Sequence, residues 1–327
     1  MAELQVTFGA AARDSFCRAF GGAQYSIEAE LYRLDDPEIE RSLKEVLATK
    51  PWVRVCLHVE GFPKRYEAKA RCAGDAGKFA DLGNRSTSAA AQRLMHEFPG
   101  AFFEVDDDPK TLVHGKAAVI DGVETLVACA NLDRSGFDSP GQVCVDEVSP
   151  IDATAALRAI HGSTASDRVG SLAEAGHVVS GPDTATRARI DALLRSPNDL
   201  RIAMEDLSDP KVVDELIERN GLPRRHDRIL VGSDYNNSRW AAHEFERLRQ
   251  AHVAVRVVEP GYFHEKYIDS GDEIYVGSHN LTRNGLDAAR EIGIIAAASE
   301  YGSGAPALRA DFDRRWDALR SDGEKTP

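Results

Sequence analysis

Hydrophobic and polar positions alternate in short blocks along the chain, and the same succession of blocks occurs twice. The first copy runs LQVTF, the helical stretch AAARDSFCRAF, the apolar run YSIEAELY and a helix opened by Asp36-Pro37; the second runs HVVSG, TRARIDALL, LRIAMED and a helix opened by Asp209-Pro210. Asp before Pro suits a helix entrance, because the carboxylate caps free amides while Pro tolerates the first turn. Each half continues with an apolar strand (WVRVCLHVE; HDRILVGS), a helix (AAAQRLMHEF; AAHEFERLRQ) and another strand (AFFEVD; VAVRVVE). A His-x-Lys strand follows, then a strand ending in an Asn-Leu turn. This order predicts an α/β fold, internally duplicated, with two mixed β-sheets flanked by helices and related by a pseudo-twofold axis.

Pro37 and Pro210 stand 173 residues apart (210 − 37), whereas His114 and His264 stand 150 apart (264 − 114). The first half is therefore longer by 23 residues (173 − 150), and the surplus falls in GFPKRYEAKARCAGDAGKFADLGNRSTS, read as a loop inserted between Val59 and Ala89. A small, polar stretch over 162–176, GSTASDRVGSLAEAG, marks the junction and gives expected domains 1–165 and 166–327.

A chain of 327 residues with 43% apolar content can bury a sizeable core. Its net charge of −13 argues against general adhesion to nucleic acid or anionic membrane, because a negative surface repels phosphate; a small cationic cleft remains compatible. Cys17, Cys56, Cys72, Cys129 and Cys144 are odd in number and form no C-x-x-C pair, so a disulfide framework is not expected. No basic-then-apolar leader is visible, and no apolar run approaches the roughly 18 residues of a membrane span; a cytoplasmic protein is the expectation.

Two segments carry the candidate chemistry. VHGKAAVIDGVETLVACANLDRSGFDSPGQVCV presents His114, Lys116, Asp121, Cys129, Asn131 and Gln142. FHEKYIDSGDEIYVGSHNLTRNGLDAAREIGII presents His264, Lys266, Asp269, Asp272, Ser278, His279, Asn280 and Glu291. With ten His and ten Lys in the chain, chance alone supplies roughly 0.3 His-x-Lys occurrences, so a single copy means little. Two copies at equivalent points of a repeat, followed by Asn 17 and 16 residues on (131 − 114; 280 − 264), form a strong signal. Residues two apart on a strand face the same side, so each half can offer one imidazole and one ammonium to a shared phosphate.

At these residues the chain resembles the phospholipase D superfamily, whose pattern is H-x-K-x4-D followed by G-S-x-N. The resemblance implies attack on phosphorus by one histidine, a proton from the other, and lysines and asparagines on the nonbridging oxygens, with no metal or other cofactor. The sequence departs from the pattern in carrying Ala128-Cys129 where the first Gly-Ser belongs. Its second motif is one residue short, which leaves Asp269 and Asp272 open as counterparts of Asp121. Gln142 and Glu291 each lie eleven residues beyond their asparagines (142 − 131; 291 − 280), an asymmetry similar to that of tyrosyl-DNA phosphodiesterase. A carboxylate favours a protonated imidazole and an amide does not. Glu291 is thus expected to keep His264 cationic as the general acid, and Gln142 to leave His114 neutral as the nucleophile.

Lys116, Lys266, Asn131 and Asn280 are expected to stabilise the five-coordinate phosphorus. Ser278 is expected at the phosphate; Cys129 and His279 read as substrate contacts or as packing and turn residues, and Asp121 equally as a turn former before Gly122. His58, His96, His161, His177, His226, His243 and His252 lack partners at informative spacing and read as structural or surface residues. A nuclease acting on DNA or RNA is the favoured function, because GSHNLTRNGL resembles the second motif of nuclease-like members. The alternatives are a phospholipase D or phosphatidyl transferase acting on phospholipid head groups, and a non-catalytic phosphate-binding module. Both half-sites lie in one chain, so no oligomer is required.

Overall fold

The structure, a computed structural model, describes residues 4–60, 89–99, 101–106, 112–138, 141–161, 176–223, 225–232, 239–258 and 263–323. The expected insertion after Val59 and most of the expected junction lie outside the described residues. The first half runs β1 (Gln5–Phe8), α1 (Ala10–Gly22), β2 (Ser26–Leu31), α2 (Pro37–Thr49), β3 (Arg54–Glu60), α3 (Ala89–Glu97), β4 (Phe102–Asp106), β5 (Lys116–Ile120), β6 (Glu124–Ala128), α4 (Arg134–Phe137), β7 (Val143–Val148) and α5 (Pro150–His161). The second half repeats it as β8 (Val178–Gly181), α6 (Thr184–Leu194), β9 (Arg201–Met204), α7 (Pro210–Asn220), β10 (Arg228–Gly232), α8 (Arg239–Gln250), β11 (Ala254–Val258), β12 (Lys266–Asp269), β13 (Glu273–Gly277), α9 (Arg283–Asp287), β14 (Glu291–Ala297) and α10 (Gly304–Gly323).

Each half builds a seven-stranded sheet, ordered β1-β7-β6-β5-β2-β3-β4 in the first and β8-β14-β13-β12-β9-β10-β11 in the second. In each sheet the three strands joined by helical crossovers pair in parallel and the others pair antiparallel. The register repeats as well: Leu31 stands opposite Lys116, and Met204 opposite Lys266. Both Asp-Pro entrances cap as expected, with Asp36 accepting from the amides of Glu38 and Ile39, and Asp209 from those of Lys211 and Val212.

Burial on both sheet faces explains why these strands are almost wholly apolar. Ala118 and Ile120 of β5 face an outer core shared with α1 and α2, and Ile268 of β12 faces its counterpart beneath α6 and α7. Ala117 and Val119 point the other way, into a core that also holds Tyr267, Val276 and Ile292 of the second half. α5 adds Ala153, Ala156 and Ile160 to this shared core, and α10 adds Leu308 and Phe312. The two sheets therefore bury their inner faces against each other. Among the described residues no helix is long and apolar enough to cross a membrane.

Candidate active site

The halves are stitched where the first His-x-Lys begins. Val113 bridges Arg290 in parallel, with the His114 amide donating to Arg290 O at 2.9 Å and the Arg290 amide donating to Leu112 O at 2.8 Å. Glu291, the first residue of β14, is thereby delivered to His114. Its two carboxylate oxygens both lie 2.9 Å from His114 Nδ1. With Nδ1–H donating to Glu291, the lone pair of His114 is left on Nε2. Lys116 heads β5; its Nζ donates to His114 O at 2.5 Å and lies 5.1 Å from the centroid of the Tyr32 ring. That ring meets His114 edge-on at 5.0 Å.

His264 comes from the other half. Its Nδ1 lies 3.2 Å from Cys129 O and 2.5 Å from Lys266 Nζ, while its Nε2 lies 3.2 Å from Oε1 of Glu205. Facing a carboxylate, that Nε2 carries a proton. Lys266 Nζ also donates to Oε2 of Glu205 at 2.5 Å, and Asn280 Nδ2 donates to the same oxygen at 3.1 Å. The two imidazole rings stand 6.0 Å apart between centroids, and His114 and His264 are only 7% and 5% exposed.

Burial dominates the electrostatics. It drives His114 well below the ordinary imidazole value, with Lys116 and Lys266 pushing the same way. It also lowers Lys116 to about 7 and raises Glu291 to about 7. His264 is pushed well below its ordinary value by burial, against an opposing pull from Glu205. Burial acts to raise Glu205, yet His264, Lys266 and His114 together hold it far below the usual carboxylate range. The Glu205 carboxylate is thus the anion that the cationic groups enclose. Ligand atoms of His114, Glu205 and His264 lie within 4.8 Å of one another. Two ammonium groups beside that trio oppose a cation there and favour a phosphate.

Several expected placements differ. Glu291 sits beside His114, not His264, because the stitch at Val113–Arg290 carries it across the interface. Gln142 does not touch His114: its Oε1 accepts from the Ala130 amide at 2.8 Å, bracing the turn whose Cys129 carbonyl faces His264. Ser278 and Cys129 clamp strand ends rather than lining the phosphate position. Ser278 Oγ accepts from the Ile292 amide at 2.9 Å, and Cys129 Sγ accepts from the Val143 amide at 3.1 Å. Burial raises the Cys129 thiol to about 11, unsuited to nucleophilic duty at neutral pH. His279 is fully buried against the Tyr275 hydroxyl at 2.9 Å and lowered by burial to about 4, so it does not face a substrate.

None of the three aspartates reaches the histidines. Asp121, at positive φ, accepts from the amides of Gln24, Tyr25 and Ser26 at the far end of β5. Asp269 anchors α10 through Arg309 at 2.8 Å, and Asp272 accepts from Asn198 Nδ2 at 2.8 Å. Gly122 and Gly271, both at positive φ, mark the same point of the two turns, so Ser270 stands where Asp121 does. Asn131 is buried in the turn equivalent to that of Asn280.

Sequence reasoning passed over Glu205 and Tyr32. They are equivalent positions (205 − 173 = 32), each directly after the strand that joins the parallel to the antiparallel part of its sheet, but one is an acid and the other a phenol, so the repeat holds no matching pair to notice. It also missed Glu30, wholly buried and raised by burial to about 7, which receives Arg290 Nη2 at 2.5 Å behind the site.

Residues 190–316 match a family model described as cardiolipin synthase, PLD-like domain. None of the curated proteins matches the chain in sequence. Among solved structures, the phosphatidylserine synthase of Haemophilus influenzae Rd KW20 is 14% identical, with a TM-score of 0.65 over 96% of this chain and 86% of that one. The polyphosphate kinase of Porphyromonas gingivalis is 14% identical, with a TM-score of 0.54 over 90% of this chain and 47% of that one. The second half is thus similar to the PLD-like domain model, and the two mixed sheets share the fold of the phosphatidylserine synthase over nearly the whole of this chain.

Proposed function

We propose that this chain cleaves phosphodiesters without a metal, through a phosphohistidine on His114, and that nucleic acid is its substrate. The reading rests on one observation: the two facing rings meet different neighbours, Glu291 at Nδ1 of His114 and Glu205 at Nε2 of His264. Glu291 accepts the hydrogen bond from His114 Nδ1–H and leaves Nε2 nucleophilic, while Glu205 faces Nε2 of His264 and the Lys266 ammonium donates to its Nδ1, so that ring offers a proton from Nε2. His114 Nε2 attacks phosphorus, the P–O bond to the leaving group breaks, and the proton on His264 Nε2 passes to the departing oxygen while Lys266 Nζ, 2.5 Å from Nδ1, passes a proton to that nitrogen, so the ring stays neutral. The Nδ1 proton stays with the His114–Glu291 pair, so Glu291 offsets the ring charge of the phosphohistidine. His264, now unprotonated at Nε2, removes a proton from water and returns its Nδ1 proton to Lys266, as the water oxygen attacks phosphorus and releases His114. Lys116, Lys266 and Asn280 offset the charge on the nonbridging oxygens.

The choice of nucleic acid over lipid rests on where apolar surface lies. Tyr25, Trp52, Val123, Val148 and Ile151 are exposed, and contacts through Gln24, Asp121 and Ser149 group them at the end of the first sheet away from Lys116. Among the described residues no such rim surrounds the histidines, as an enzyme working at a lipid interface requires. Wild type and His114→Ala should be compared on single-stranded DNA, double-stranded DNA, RNA and phosphatidylcholine vesicles, in excess chelator. Cleavage of a nucleic acid that His114→Ala abolishes is expected. Cleavage of lipid alone would overturn the substrate, and turnover of nothing would overturn the enzyme reading.

A further inference from the structure

A second cluster of donor side chains lies in the first sheet. β2 and β3 pair in parallel with Glu28 opposite Cys56 and Glu30 opposite His58. Alternation sends Ile27, Ala29, Val55, Leu57 and Val59 into the outer core, which leaves Glu28, Cys56 and His58 on the face covered by α5. His161, the last residue of α5, comes down onto them. Cys56 Sγ lies 3.5 Å from His58 Nε2, and the His58 and His161 rings meet edge-on at 5.0 Å. His161 Nε2 is bonded to one carboxylate oxygen of Glu28, whose other oxygen takes Arg54. Cys56, His58 and Glu28 are 6%, 2% and 4% exposed.

The second half shows that the fold does not require this set. Counting from the equivalent pairs Leu31–Val59 and Met204–Val231, the positions of Glu28, Glu30, Cys56 and His58 are taken by Arg201, Ala203, Arg228 and Leu230. Ala203 and Leu230 join the shared core, while Arg201 and Arg228 pair with Asp313 of α10. One copy fills the face with packing and ion pairs; the other gathers a thiol, two imidazoles and a carboxylate.

We propose that Cys56, His58, His161 and Glu28 hold a zinc-like divalent ion that fastens the end of α5 to β3. Zinc favours a tetrahedron of sulfur, nitrogen and oxygen donors, with Zn–S near 2.3 Å and Zn–N near 2.0–2.1 Å. Those lengths place sulfur and nitrogen about 3.6 Å apart, and Cys56 Sγ and His58 Nε2 stand at 3.5 Å. Three of the donor atoms, from Cys56, His58 and His161, already lie within 4.8 Å of one another. Binding replaces the thiol proton of Cys56 with the metal and releases that proton to solvent. The ion takes no part in phosphoryl transfer; it closes the first half just before the chain passes to the second.

The full chain should be loaded with zinc sulfate, desalted and assayed for metal, as wild type, Cys56→Ser, His161→Ala and His264→Ala. About one zinc per chain is expected in wild type and His264→Ala, with loss in the other two. Loading with cobalt(II) should give a near-ultraviolet thiolate charge-transfer band in wild type and His264→Ala that is missing from Cys56→Ser. His161 is half-exposed at a helix end, so His161→Ala keeps the test open if Cys56→Ser fails to fold. Wild type that retains no zinc overturns the proposal, as does retention by His161→Ala. Loss of zinc from His264→Ala overturns it too, by placing the ion at the histidine pair.

Discussion

At the residue scale, the proposed reaction divides one phosphoryl transfer between two imidazoles that differ in what faces each nitrogen. His114→Ala and His264→Ala should each lower kcat/KM by at least about 10³-fold while far-ultraviolet circular dichroism stays unchanged; activity retained in both sinks the assignment. Glu205 has two opposing effects: it keeps a proton on His264 Nε2, and it occupies the cations that a phosphate needs. Its substitution Glu205→Gln should therefore lower KM and lower kcat together, a split that a merely structural role does not produce. The pH profile follows from two buried groups. Glu291, raised to about 7 chiefly by burial, must be ionised to hold the Nδ1 proton, so activity is lost as pH falls through its titration. Lys116, lowered to about 7 chiefly by burial, must be protonated, so activity is lost as pH rises through its own. The expected kcat/KM profile is a bell centred near neutrality, and Lys116→Arg should move the alkaline limb upward by about one pH unit or more. A flat profile from about pH 5.5 to 9 contradicts this.

At the element scale, strand ends and tight turns do the positioning. Both Asn-bearing turns need glycine: a Cβ on Gly136 would stand 2.1 Å from Asn131 O, and one on Gly285 would stand 2.5 Å from Asn280 O. Gly136→Ala should cost about 1–3 kcal/mol in thermal denaturation. Cys129→Ser should cost far less, because Ser278 performs the same amide clamp in the other half. Equal losses in the two variants would show that the thiol has a further task. Element order, duplication and the paired His-x-Lys were legible because each depends on local periodicity and on spacing along the chain. Partner identity was not. Glu291 was matched to His264 by sequence proximity, whereas the bridge at Val113–Arg290 hands it to His114. The Gly-Ser pattern drew Ser278 and Cys129 toward substrate, whereas both accept from strand amides and Ser278 also bonds Glu291. Contacts between strands far apart in sequence carry no periodic signature, and Cys56, His58 and His161 met unforeseen for the same reason.

At the scale of the whole molecule, each histidine is held by the opposite half: His114 by Glu291, and His264 by the Cys129 carbonyl that Gln142 braces. The sheets also share the core between them, so neither half has a complete site or a covered inner face by itself. Residues 1–165 and 166–327, produced separately, should each be inactive on bis(p-nitrophenyl) phosphate, and turnover by one half alone would show that the crossed pairing is not needed. The sharpest test of that crossing is to quench turnover of a phosphorus-labelled diester by the His264→Asn variant and to map the label by peptide. Acid-labile phosphate on the peptide containing His114 is the predicted result; label on any other residue of that variant, or on His264 in the wild-type chain, contradicts it.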